Sequence, residues 1–229
     1  MVNDDYSRSS LGSDCEYYYS QHAATIDDVN HQEFVLDLSF GLIRRLFDIL
    51  VGSLGLLCSV PFIVVFGLLT KIEDGGPVFY KQERVGLYGK HFTLYKLRSM
   101  RVNAEKNGPQ WAEKDDPRVT RVGSFIRKTR IDELPQFYNV LRGDMTLVGP
   151  RPERPEFVIK FDKETPGFIS RLRVKPGLTG WAQINGGYDI TPKEKLELDL
   201  FYIENRSLLF NMRILIKTVL VLVTGSGAR

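Results

Sequence analysis

Hydrophobic positions divide the chain into stretches of different period. Residues 46–69 form an almost unbroken apolar run of about 24 residues, longer than the ~20 a helix needs to span a bilayer. Arg44 and Arg45 precede it and Lys71 follows it, so the flanking charge chooses no orientation. Ser59-Val60-Pro61 falls near its middle, where proline removes a backbone hydrogen bond and kinks the helix. A re-entrant hairpin that dips in and returns to the same face accommodates both features. A kinked single span stays open beside it.

After Asp74-Gly75-Gly76-Pro77 the period changes. Residues 78–82 and 91–97 read as short extended pieces joined by a turn at Gly86-Leu87-Tyr88-Gly89. Residues 103–116 are polar and read as a loop, and Ser124 is placed to cap a short helix through Arg130. Leu134, Phe137, Tyr138 and Leu141 recur at i, i+3, i+4 and i+7, the stripe of an amphipathic helix. Gly143 suits its C-terminal stop and Pro135 its first turn, so the helix is expected to begin near Asp132. Further on, 155–163 reads as a helix and 171–187 as a glycine-rich basic loop. Thr191-Pro192-Lys193-Glu194 opens a helix with Leu196, Leu200 and Ile203 inward. Ser207 caps a last helix, 208–223, interrupted by Arg213 and Lys217. It fits either a membrane interface or an ordinary core.

The pattern implies an α+β fold, mostly helical. Its parts are a polar, flexible extension (1–40, with a short ordered piece at 33–40), a membrane-inserted helix-break-helix (41–72) and a compact domain (73–229) with a small β-hairpin. Asp4 and Asp5 do not resemble the basic front of a secretory signal.

A net charge of +3 is too mild to argue for nucleic acid. The basic residues do cluster at 118–130 and 171–175, which suits phosphate groups or an anionic membrane. Two cysteines, Cys15 and Cys58, build neither a disulfide framework nor a zinc site. Of three histidines, His22 and His31 lie in the extension and only His91 beyond it, which leaves acid–base chemistry to carboxylates. Asp132 and Glu133 are the prominent pair. Arg127, Lys128 and Arg130 stand just upstream, and cations of this kind are expected to keep the carboxylates ionised. A purely structural alternative is a capping box, Thr129-x-x-Asp132.

A carboxylate nucleophile needs no base, and attack on a phosphoanhydride needs its charge neutralised by arginines and a hard cation such as Mg²⁺. Membrane-associated phosphoryl transfer is as far as the residues alone lead.

From about Arg44 onward the chain resembles the bacterial sugar transferases, the monotopic phosphoglycosyl transferases. Five motifs carry the resemblance, in the family's order. They are the apolar segment with Ser59 and Pro61, Tyr95-Lys96-Leu97-Arg98-Ser99-Met100, Asp132-Glu133-Leu134-Pro135-Gln136, residues 143–152 ending in Gly149-Pro150-Arg151-Pro152, and residues 175–186 from Lys175-Pro176-Gly177 to Asn185-Gly186.

The resemblance implies that a phosphosugar passes from a UDP-sugar to polyprenyl (undecaprenyl) phosphate through a covalent aspartyl intermediate, releasing UMP. This is the first membrane step of glycan assembly. It assigns Asp132 as nucleophile, with Glu133 assisting, and both to Mg²⁺. Arg127 and Arg151 become phosphate ligands. Lys96, Arg98, Lys175, Gln183 and Asn185 become helpers in substrate binding, and Ser59 and Pro61 the membrane kink.

It further implies membrane lipids, a homo-oligomer and downstream glycosyltransferases as partners. The location would be the bacterial inner membrane, with the catalytic domain on the cytosolic face. The multi-span N-terminal region of some relatives is not seen, so the chain looks like a compact member. Two departures stand out: Gly187 where the family often has Arg, and Arg206 where Trp is frequent. Hydrolysis of the nucleotide sugar, or a non-catalytic membrane scaffold, are the alternatives.

Overall fold

The computed structural model describes residues 17–21, 34–106, 108, 116–186 and 190–224. Gly187 therefore lies outside the described residues, as do His22, His31 and Glu33. One helix, Phe34–Asp74, carries the entire apolar run. It continues through Pro61, so the expected break between two helices is a missing hydrogen bond inside one helix. Ser59 is buried and donates to the Gly55 carbonyl at 2.6 Å, adding a bond inside the turn before the proline.

Both flanks of the apolar run are tied to the same domain. At one end, Arg44 donates to Thr146 Oγ1 and to the Val148 carbonyl, and buried Asp48 accepts from Thr146 Oγ1 at 2.7 Å and Leu147 N at 3.0 Å. Arg45 donates to the Val140 and Leu141 carbonyls at 2.6 Å, satisfying the end of the short helix Gln136–Arg142. At the other end, Glu73 accepts from Arg121 N and Val122 N, and Asp74 pairs with Arg98. In between, Gly52 and Gly55 let Leu141 and Phe137 come close. A Cβ on Gly55 would stand 2.6 Å from the Phe137 ring. Phe137 and Leu141 of the predicted stripe thus face the long helix, while Gln136, Asn139 and Val140 are buried and Tyr138 is exposed.

The remaining surface of the long helix is apolar and open. Gly41–Asp74 is long and apolar enough to cross a membrane, and only 11% of its most apolar stretch is buried. The last helix, Leu208–Thr224, shows the same division. Ile214 is fully buried, Asn211 accepts from Tyr202 Oη and Thr218 bonds Thr179. Leu209, Met212, Ile216, Val219 and Leu220 are exposed. One face of this helix is therefore packed into the core, and the other is apolar and exposed. Lys217 sits 5.0 Å over Trp181, which packs with Phe201 and Phe210.

Strands β1 (Phe79–Val85) and β2 (His91–Leu97) form the expected antiparallel hairpin. A second sheet was not foreseen. Strand β3 (Thr146–Val148) runs parallel to β4 (Gly177–Thr179), so the glycine-rich segment is partly a strand. Glycine is required here: a Cβ on Gly149 would stand 2.5 Å from the Lys175 carbonyl, and Gly177 and Gly180 are crowded by Gly149 in turn.

Several caps differ from expectation. Thr120, not Ser124, caps the helix Arg121–Lys128, accepting from Gly123 N at 2.9 Å. Thr129 closes that helix by donating to the Phe125 carbonyl, so the Thr129–Asp132 capping box does not form. Asp132 and Glu133 occupy a 3-10 turn, Ile131–Glu133, ahead of the helix rather than its first turn. The Thr191–Glu194 capping box does form, and Leu196, Asp199 and Tyr202 are the residues its helix buries most deeply.

Candidate active site

The hairpin, the 3-10 turn, the segment after β3 and the helix Pro155–Glu164 enclose a cleft of about 1060 Å³. Pro77 and Phe79, just beyond the end of the long helix, are among its lining residues. Strand β2 delivers Lys96. Beyond β3, Gly149-Pro150 lead to Arg151, which meets the same Glu133 oxygen as Lys96. Arg127 comes from the last turn of its helix, and Arg130 holds a left-handed backbone (φ 59°) directly before the acidic pair. A left-handed non-glycine costs free energy and is found where surrounding structure enforces it.

The two carboxylates are treated unequally. Glu133 Oε1 accepts from Arg151 Nη2 at 2.5 Å and from Lys96 Nζ at 3.1 Å. Burial pushes its carboxyl up, but Arg151, Lys96 and Arg130 more than offset this and hold it well below the usual range. Asp132 is buried (7% exposed) and accepts no hydrogen bond among the described residues. Burial dominates there, with Glu133 adding to it against the pull of Lys96, Arg151 and Arg127. Its carboxyl is pushed up to about 6. The carboxylate is thus still mostly ionised at neutral pH, as expected, but desolvation outweighs the pull of the cations on its titration.

The structure gathers Asp132, Glu133, Arg127, Arg151, Lys96, Arg98 and Gln183 around the one cleft. Arg98 is mainly engaged elsewhere, on Asp74 and, at 2.6 Å, on the Pro77 carbonyl. Lys175 and Asn185 do not line the cleft. Lys175 feels Arg45, Asp48 and Arg44, and Asn185 donates to the Trp181 carbonyl at 2.8 Å. Arg171, from the second basic cluster, is fully buried on Asp199 (2.7 Å) and donates to the Arg151 carbonyl.

Residues that sequence reasoning missed are Arg84, Glu153, Arg154 and Lys195. Glu153 accepts from Lys195 and faces Arg84 at 3.6 Å. Burial alone would raise its carboxyl, but Lys195, Arg171 and Arg84 bring it down to about 2. The signal was present in Pro150-Arg151-Pro152-Glu153-Arg154, where charges alternate with prolines immediately after a glycine.

Among the described residues no group of three or more His, Cys, Asp or Glu could hold a metal by itself. Asp132, with its oxygens unpaired, and Glu133 beside it still fit Mg²⁺, which binds through one or two carboxylates with waters and substrate phosphates.

A model of the bacterial sugar transferase family matches residues 40–225. The chain is 46% identical over 193 residues to the UDP-N-acetylgalactosamine-undecaprenyl-phosphate N-acetylgalactosaminephosphotransferase of Aeromonas hydrophila, covering 83% of this chain and 46% of that protein. It is 42% identical to the uncharacterized sugar transferase EpsL of Bacillus subtilis, covering 81% of this chain and 90% of that one. It is 41% identical to the UDP-glucose:undecaprenyl-phosphate glucose-1-phosphate transferase of Escherichia coli, covering 78% and 39%. The chain thus spans less than half the length of the first and third of these relatives.

Proposed function

The chain belongs to the bacterial sugar transferase family, and on that premise we propose that it moves a phosphosugar from a UDP-sugar to polyprenyl phosphate. The observation that supports this most strongly is Asp132, a buried carboxylate that accepts no hydrogen bond among the described residues, in a cleft lined by cations. Asp132 attacks the β-phosphorus of the nucleotide sugar. The bond from that phosphorus to the bridging oxygen breaks, and UMP leaves with the electron pair. A phosphosugar–aspartyl anhydride remains. A phosphate oxygen of the lipid then attacks the same phosphorus and returns Asp132 as carboxylate.

Arg127 and Arg151 carry the phosphate charge, and Glu133 holds Arg151 and Lys96 beside the nucleophile. Mg²⁺, held by Asp132 and Glu133 with the phosphates, would supply further charge neutralisation. A carboxylate titrating near 6 is a better nucleophile than one near 4 and is still mostly charged at pH 7.

The long helix is proposed to enter and leave the membrane by one leaflet, the cytosolic one. Arg44, Arg45 and Asp48 at one end and Glu73 and Asp74 at the other bind a single domain, which supports this topology over a crossing. A water-soluble maleimide added to sealed vesicles from the domain side should label cysteines placed at positions 44 and 72, and should spare Cys58 until the bilayer is dissolved. Labelling of either end only from the opposite side would replace re-entry with a span. For the reaction, radiolabelled UDP-sugar should release UMP before lipid is added, and label should then pass to the lipid. Label ending as free sugar phosphate with polyprenyl phosphate present would instead indicate hydrolysis.

A further inference from the structure

The family match begins at residue 40, yet part of the polar extension is built into the domain. Residues 17–21 form a helical turn. Tyr19 is buried (8% exposed) in a cluster with Val85, Val158, Ile169 and Leu172, and its ring lies 5.9 Å from Tyr88. Tyr18 Oη donates to Asp162 Oδ2 at 2.9 Å. The other oxygen of Asp162 accepts from Ile169 N at 2.9 Å, so one carboxylate joins the extension to the turn Phe168–Arg173.

Val158 and Asp162 belong to the helix Pro155–Glu164, one turn apart on its outer face. Its inner face carries Phe157, Lys160 and Phe161 into the cleft, and Arg154 stands at its start.

We infer that residues 17–21 are a strap that fixes the cleft's outer wall from behind, with Tyr18 and Tyr19 as positioning residues for nucleotide binding. Neither touches the cleft. They set the seat of the helix whose opposite side supplies Phe157 and Lys160. A polar, tyrosine-rich segment suits this task, because a tyrosine buries its ring while its hydroxyl finds a partner at the edge. The inference rests on reading the cleft as the nucleotide-sugar site.

The test uses the full chain in detergent. Uridine diphosphate is titrated calorimetrically into wild type, Tyr19→Ala and Tyr19→Phe, and amide exchange is followed in the helix Pro155–Glu164. Tyr19→Ala should weaken uridine diphosphate about fivefold at unchanged stoichiometry and speed exchange in that helix about tenfold. Tyr19→Phe, which keeps the ring, should restore both. Unchanged affinity and exchange in Tyr19→Ala would overturn the strap. So would a lowered stoichiometry at unchanged affinity, which reports lost protein rather than a moved wall. A wild type that does not bind uridine diphosphate would refute the nucleotide-sugar reading, and exchange would then decide the strap alone.

Discussion

Arg151 donates to Glu133 at 2.5 Å, and this contact divides the labour of the acidic pair. Glu133 takes Arg151 and Lys96, and Asp132 accepts no hydrogen bond among the described residues. Adjacent carboxylates are thereby driven apart in titration, Glu133 well below its ordinary range and Asp132 up to about 6. Environments that separate two like groups in this way mark different roles.

The rate of covalent labelling by subsaturating UDP-sugar, which reports the free protein, should therefore follow the ionised fraction of Asp132. It should be flat above about pH 7 and fall about tenfold per pH unit below 6. Single-turnover measurements across pH 4.5–8 check this. A midpoint near 4 would show that the bound cations, not burial, set the nucleophile.

Asp132→Asn should abolish labelling without destabilising the fold. The ordinary value of 3.8 rises to about 6 on folding, so the folded state holds this proton more tightly. Stability then falls as pH rises between those values, and the deficit persists at pH 7. Removing the charge should relieve it, by about 1–3 kcal/mol at neutral pH, with the gain vanishing below pH 4. Denaturant titration at pH 4 and pH 7 reads the difference. A helix-capping role would give the reverse sign, a loss of about 1 kcal/mol.

Glu133→Gln should act in the opposite direction. Its depressed titration contributes stability above the unfolded value, and this is lost as pH falls. The variant should cost about 1–3 kcal/mol at pH 7 and progressively less in acid. It also frees Arg151 and Lys96 to face Asp132 and removes a neighbouring negative charge. The midpoint of the labelling profile should move below 6. A midpoint that stays in place would mean that the two carboxylates are not coupled as their contacts require.

Gly55 lies where the long helix meets Phe137. Gly55→Ala drives a methyl into that ring and should cost about 1–3 kcal/mol, and Phe137→Leu in the same chain should recover part of it. Additive losses in the double-mutant cycle would place the two side chains apart.

Much of this was legible from local patterns. The hairpin, the long apolar helix, the stop at Gly143 and the capping box at Thr191 each rest on residues close in sequence, and each formed. The β3–β4 pair was not legible: three-residue strands some thirty positions apart pair through glycine contacts that no periodicity announces. Lys175 and Asn185 looked like site residues because they share a segment with Gln183, but the strand and short helix between them turn only Gln183 to the cleft. Arg171 reads as a surface cation until Asp199 appears beside it. The upward shift of Asp132 was hidden for the same reason, since burial is a property of the assembled walls.

The central claim is a phosphorus–oxygen bond on one side chain. Intact mass spectrometry of wild type and Asp132→Asn, each incubated with a panel of UDP-sugars and Mg²⁺ without lipid, tests it directly. Wild type should gain the mass of one phosphosugar, lose it when polyprenyl phosphate is added, and Asp132→Asn should gain nothing. An adduct of equal yield on Asp132→Asn, or transfer to lipid by that variant at the wild-type rate, would contradict the account.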